Sequence, residues 1–202
     1  EKVQIANGIK DKGVFIYFGD DSLIRDTVNN SEIKDSIRKQ TFGTKEFNTL
    51  YLKSFSEDLS GITFTVSDEH LGELHADVLG KHQALNSMAA ILTAEELGMM
   101  PEEIRLGLLK IDKTGLRNEI IKINKCTILN DCYKSNPVSI NAALEIFELI
   151  RSQRKIVVLG DMLGYREMSH DMHYNVGKDL AAHKIDELVT IGQEAKYMAE
   201  GA

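Results

Sequence analysis

A chain of 202 residues, 43% hydrophobic and 27% charged, has the composition of an ordinary globular protein of one or two domains. Its net charge of −7 argues against broad nucleic-acid binding, which calls for a basic patch or stripe, and leaves room for a small anionic ligand. It has no secretory signal and no apolar run of membrane-spanning length, so it reads as cytosolic, without membrane insertion.

The first residues, Glu1 to Ile9, read as the end of a helix. "GVFIYFGDD" reads as a buried strand over Val14 to Phe18, ending in Gly19-Asp20-Asp21 as strands do at the carboxyl edge of a parallel α/β sheet. Ser31 to Arg38 is polar and reads as a short helix. Strands are predicted over 47–55, 61–66 and 71–78, and their alternation points to an antiparallel meander. "LGKHQALNSMAAILTAEELGM" is a helix, with Leu85, Met88, Ala89 and Leu92 at helical spacing and Gly98 at its end. Pro101 opens a further short helix through Leu109.

The pattern changes between residues 112 and 117, which divides the chain into 1–114 and 115–202. Two strands, 118–123 and 126–129, flank a hairpin turn at Asn124-Lys125. Strand and helix then alternate: strand 126–130 with helix 137–152, strand 155–159 with helix 169–183, and strand 187–191 with a helix from Gln193. Such a succession predicts a parallel sheet with right-handed crossovers. It stops at Gly201-Ala202 without another strand, so the second domain reads as truncated. Cys126 and Cys132 share one strand or its end, too poorly placed to bridge.

Four stretches could carry chemistry. In "NDCYKSNPVSINAALE", Asp131 stands where a strand stops and Asn136-Pro137 opens a helix. Tyr133 and Lys134 lie between, at the sheet edge where open α/β folds bind ligands and helix N-termini favour anions. Asn136 also fits a plain helix cap, whereas Asp131 and Tyr133 precede the helix and no capping role accounts for them. In "GKHQALNSMAA", His82, Gln83 and Asn86 can share one helix face. Carboxamides that both donate and accept suit a purine edge, but taken alone the stretch reads rather as the polar face of a surface helix. Arg117, near the inferred boundary, offers a fixed cationic fork for phosphate or carboxylate. In "VLGDMLGYREMSHDMH", Asp161 ends a strand. His170 and His173 have metal-ligand spacing without a completing ligand set, and read as helix-surface histidines. No G-x-x-x-x-G-K-[ST] phosphate loop occurs in the 202 residues.

Taken together, "FGDDS", "GKHQALNSMAA", "GLRNE", "NDCYKSNPVSINAALE", "VLGDM" and an "H…VG…IG…GA" tail resemble the Mur ligases, in order from about residue 14 to 202. The resemblance implies the later part of a P-loop-type ATP-binding α/β domain with antiparallel strands, followed by a Rossmann-like α/β domain. It implies a monomeric ATP- and magnesium-dependent enzyme of peptidoglycan synthesis, with the phosphate loop and metal ligands outside this chain. Its substrates would be a UDP-N-acetylmuramoyl-tripeptide and D-alanyl-D-alanine, joined through an acyl phosphate. Carried over by residue, Asn86 would contact adenine with His82 beside it, Arg117 would bind phosphate, and Asp131 would hold the ribose. Tyr133, Lys134 and Asn136 would line the point where acyl phosphate and amine meet. The chain departs from the family's usual residues at Gln83, at Lys134 and at Gly164-Tyr165-Arg166. Another Mur ligase, a folylpolyglutamate synthase-like ligase and a non-catalytic nucleotide-binding module remain alternatives.

Overall fold

The computed structural model describes residues 2–112 and 115–202. The expected helix end over 1–9, and the division expected after residue 114, touch residues 1, 113 and 114, which lie outside the described residues. Two compact units are present, Glu1–Asp112 and Lys113–Ala202.

The first unit opens with a 3₁₀ helix, Lys2–Gly8, followed by β1 (Val14–Phe18), α1 (Ser22–Asn29), β2 (Arg38–Gly43), β3 (Leu50–Asp58), β4 (Gly61–Val66), β5 (Glu73–Ala76), α2 (Lys81–Glu96) and α3 (Pro101–Leu108). One sheet runs in the order β1-β2-β3-β4-β5. Its first three strands are parallel, and the β3-β4-β5 meander is antiparallel as expected. Ile62, Phe64, Leu71, Leu74 and Met88 form the centre of the core, where burial of apolar surface supplies the main driving force.

Two expectations fail here. The short helix at 31–38 does not form; Arg38 instead begins β2, in parallel register with Val14. The helix lies earlier, as α1, because the Asp21 carboxylate accepts from the Ile24 amide and caps it. The buried stripe of α2 is also rotated by one residue. Ala84, Ser87, Met88, Ile91 and Leu92 are buried, whereas Leu85 and Ala89 sit at the margin. Small Ala84 and Ser87 bring the helix close to the sheet, a fit that counting large apolar residues overlooks.

The second unit contains β6 (Glu119–Ile123), β7 (Cys126–Asn130), α4 (Pro137–Leu149), β8 (Ile156–Gly160), a 3₁₀ turn Arg166–Met168, α5 (Ser169–Leu180), β9 (Glu187–Ile191) and α6 (Lys196–Gly201). β6 and β7 form the expected hairpin, with Asn124 at φ 53° in its turn. β8 and β9 pair in parallel from Ile156↔Glu187 to Gly160↔Ile191. The single parallel sheet does not extend to β7. Among the described residues the unit holds two separate two-stranded sheets. A cavity of about 1050 Å³, lined by Ile128 and Leu129 from β7 and by Val157 and Leu159 from β8, occupies the space that a ladder between these strands would need.

Ile140 and Leu144 from α4, Val157, Met162, Val176, Leu180 and Met198 make the core of this unit. α5 and α6 pack with backbone nearly touching backbone. A Cβ on Gly177 would stand 2.1 Å from the Met198 carbonyl oxygen, and one on Gly201 2.2 Å from that of Tyr174. Cys126 and Cys132 are both free and exposed. Among the described residues no helix is long and apolar enough to cross a membrane.

Candidate functional site

The cavity of the second unit opens at the carboxyl end of β7. There the chain leaves the strand through Asp131, Cys132, Tyr133, Lys134 and Ser135, all in its lining. The local sequence dictates the turn that follows. Asn136 has extended backbone and its Oδ1 accepts from the Ser139 amide at 2.9 Å, while Ser139 Oγ accepts from the Asn136 amide at 2.9 Å. Pro137 takes the first helical position, where its missing N–H costs nothing. Asn136 is therefore a working helix cap. Its Oδ1 serves the cap, and its side-chain Nδ2 is the group it can donate to a ligand.

The turn beside it places Arg117. Leu116 and Asn118 both have positive φ, 62° and 46°. Two contacts hold the backbone there: the Asn118 amide donates to Asp131 Oδ1 at 3.2 Å, and the Tyr133 amide donates to the Leu116 carbonyl at 3.2 Å. The Arg117 guanidinium then lies over the Tyr133 ring, 4.5 Å from its centre. Asp131 and Tyr133, for which sequence reading found no structural task, thus have one. They carry the arginine. Lys134 is exposed beside them and adds a second positive charge at the mouth. Arg117 over the Tyr133 ring and Lys134 in the lining thus bring two cations to this turn beside the N-terminus of α4, with the Asp131 and Asp161 carboxylates also in the lining, an arrangement in which cations and helix N–H groups can take up an anionic group.

The opposite wall is formed by the end of β8 and the loop after it. Asp161 accepts from the amides of Gln193, Glu194 and Ala195 at 3.1, 3.0 and 2.7 Å. The Ala195 bond, with those of Glu194 and Gln193, holds its carboxyl below the usual carboxylate range. His173 departs from the surface role expected of it, because it is fully buried beneath this loop. His170 is exposed, edge-on to the Tyr197 ring at 4.4 Å. Among the described residues no three His, Cys, Asp or Glu side chains gather to hold a metal ion.

In the first unit, α2 begins at Gly80, whose φ of 100° suits glycine and whose cap lacks a side-chain bond. His82 is half-buried and Asn86 exposed. Asn86 Nδ2 donates to Gln83 Oε1 at 3.2 Å, so these two carboxamides do meet on one face. A polar cluster that sequence reading did not resolve lies at the end of β1. Asp20 accepts from the Thr44 amide and hydroxyl, both at 2.7 Å, and from Asn48 Nδ2 at 2.8 Å. Burial pushes its carboxyl up, but the Thr44 and Asn48 bonds outweigh that and hold it low. The "GDD" following an apolar run was the available signal.

Comparison with known proteins bears on this arrangement. The Mur ligase middle domain model matches residues 1–94, and the model for the Mur ligase glutamate ligase domain matches residues 116–202. The chain belongs to the Mur ligases. Among curated Mur ligases, it is 34% identical over 203 residues to the UDP-N-acetylmuramoyl-tripeptide–D-alanyl-D-alanine ligase of Bacillus subtilis, covering 100% of this chain and 43% of the relative. It is 29% identical over 201 residues to the Buchnera aphidicola ligase of the same name, covering 98% and 43%. A Mur ligase of known structure, MurF from Acinetobacter baumannii, superposes with a TM-score of 0.86 at 25% identity, over 100% of this chain and 43% of that one. The MurF ligase of Thermotoga maritima, solved in complex with ADP, superposes with a TM-score of 0.80 at 19% identity, over 98% and 44%. The chain therefore spans less than half the length of each of these four relatives. The family resemblance read from the sequence motifs is borne out, and so is the mixed α/β architecture.

Proposed function

We propose that this chain forms part of an ATP-dependent ligase that joins D-alanyl-D-alanine to a UDP-N-acetylmuramoyl-tripeptide in peptidoglycan synthesis. In this reading residues 1–114 complete a P-loop-type ATP-binding domain, and residues 115–202 form a Rossmann-like domain that receives the amine. The names of the Bacillus subtilis and Buchnera aphidicola relatives support the substrate pair. The observation that carries it is the Arg117–Tyr133–Asp131 cluster beside the N-terminus of α4, at the mouth of a cavity large enough for a peptide substrate.

ATP supplies the phosphoryl group that activates the tripeptide's terminal carboxylate. The chain's own residues orient and stabilise. Asn86, with His82 on the same helix turn, holds the adenine, where a carboxamide can donate and accept at once. Arg117, fixed flat on Tyr133, binds phosphate with a charge that does not titrate away. Asp131 accepts from a ribose hydroxyl through the oxygen not engaged by Asn118. Lys134, Tyr133 and the Asn136 amide border the point of attack, where donors aimed at growing negative charge lower the barrier. Magnesium finds no ligand set among the described residues.

The test is a ligation assay on the full-length enzyme, offering UDP-N-acetylmuramoyl-tripeptide and ATP with either D-alanyl-D-alanine or single amino acids. Amide formation with the dipeptide and not with the amino acids is expected. Preference for a single amino acid would assign the chain to another branch of the family. The 202-residue chain alone, lacking a phosphate-loop motif, is expected to show no ligase turnover.

A further inference from the structure

We propose that His173 is a positioning residue for the cavity, acting through the backbone of Met162 on the loop that follows β8. The His173 ring is fully buried. The Met162 amide donates to Nε2 at 2.9 Å, so that nitrogen must present its lone pair. Nδ1 then carries the proton and donates to the Ser169 carbonyl oxygen, 2.7 Å away, one turn back on the same helix. Both ring nitrogens are used, and the tautomer is fixed by the bonds themselves.

The place where this grip falls gives it meaning. Met162 is 2% exposed and belongs to the core, while its neighbour Leu163 is 80% exposed and lines the cavity. Between the two the chain turns outward from core to cavity wall. Asp161, just before, is tied to the 193–195 amides. The loop is thus anchored on both sides of one peptide, by Asp161 to the α6 approach and by Met162 to α5. Stability alone does not call for an imidazole at this point. A leucine would fill an apolar core without two polar atoms to satisfy. What the imidazole adds is a directed acceptor for one amide, which sets the path by which Leu163 and Gly164 enter the wall facing Asp131 and Tyr133 across the cavity. That the wall receives the incoming dipeptide rests on the ligase reading; the hold on Met162 does not.

The first experiment is nitrogen-15 NMR of the 202-residue chain. His173 is expected to show a protonated Nδ1 and an unprotonated Nε2, with a slowly exchanging Met162 amide; a protonated Nε2 overturns the proposal, whether or not any variant folds. Next, His173→Leu should speed exchange at Met162 by about tenfold, the size of one lost hydrogen bond, with the amides of α4 unchanged. His173→Gln, whose Oε1 can take the same bond, should restore it to within about threefold. Equal exchange in all three proteins overturns the hold. In the full-length enzyme, His173→Leu should raise KM for the dipeptide by about tenfold with kcat little changed, and His173→Gln should recover it. An unaltered KM, with Met162 exchange accelerated, overturns the positioning role. If the full-length enzyme forms no amide bond, the ligase reading fails while the NMR and exchange results still decide the hold.

Discussion

The Arg117 guanidinium lies 4.5 Å from the centre of the Tyr133 ring, and the Tyr133 amide donates to the carbonyl of Leu116, the residue before that arginine. Ring and backbone therefore fix one side chain from two directions. An exposed contact of this kind contributes about 0.5–1 kcal/mol, too little to matter much for folding but enough to select one rotamer. Arg117→Ala should lower the melting temperature of the chain only slightly. In the full-length enzyme it should reduce turnover by about a hundredfold or more. Arg117→Lys should fall between, since it keeps the charge and loses the planar fork. Steady-state kinetics with thermal melting checks both parts, and unchanged kinetics would make the arginine a surface residue only.

Asp131 has a measurable structural share. Its Oδ1 holds the Asn118 amide, at a left-handed backbone angle that asparagine tolerates better than most residues and that this bond helps to fix. Asp131→Ala should release the 116–118 turn and cut turnover strongly while the fold survives. Asp131→Asn keeps an acceptor oxygen, so hydrogen exchange at Asn118 should stay slow while nucleotide affinity drops. If both variants bind nucleotide as tightly as the parent, the carboxylate serves the turn alone.

Asn136 can be separated into its two duties. Asn136→Ala should destabilise the second unit by about 1 kcal/mol, the usual worth of a helix cap. Asn136→Ser and Asn136→Asp should restore most of that. Neither offers a side-chain amide, so turnover of the full-length enzyme should remain low in all three. Denaturant melts beside initial rates decide it; recovery of rate by Asn136→Ser would remove the amide from the site.

Asp161 makes stability depend on pH in one direction. Its folded pKa lies below the usual value of 3.8, because the Ala195, Glu194 and Gln193 amides favour the charged form. The contribution is complete above the unfolded value and is lost as pH falls through the lower, folded one. Asp161→Asn should therefore melt earlier than the parent at neutral pH. The gap should close on acidification below about pH 4. A gap that stays constant with pH would mean that the three amides do not depend on the charge.

Periodicity and punctuation made much of the architecture legible: the meander, α2, the β6–β7 hairpin and the strand–helix alternation after it. β2 stayed hidden because Arg38, Lys39, Gln40 and Thr41 are polar, and a central parallel strand usually declares itself by an apolar run. Ladder partners were not legible either. Three consecutive βα units imply a common sheet, yet which edge meets which is settled in three dimensions, and β7 takes β6. At the candidate site the residue types and their order were readable and the supports were not. Asp131 acts on a main-chain amide thirteen residues away, and nothing in the composition of either stretch announces that bond. Spacing placed His173 on a helix but could not say that its face turns inward.

The glycines of α5 and α6 lead elsewhere. Gly177 and Gly201 stand where any side chain would strike the opposite helix's carbonyl, so each is needed by the other. They belong to the same tail of motifs by which the chain resembles its family. That part of the signature carries no reagent. It records a spacing between two rods, and a sequence can lose it through one added methyl group without losing any group that touches a substrate.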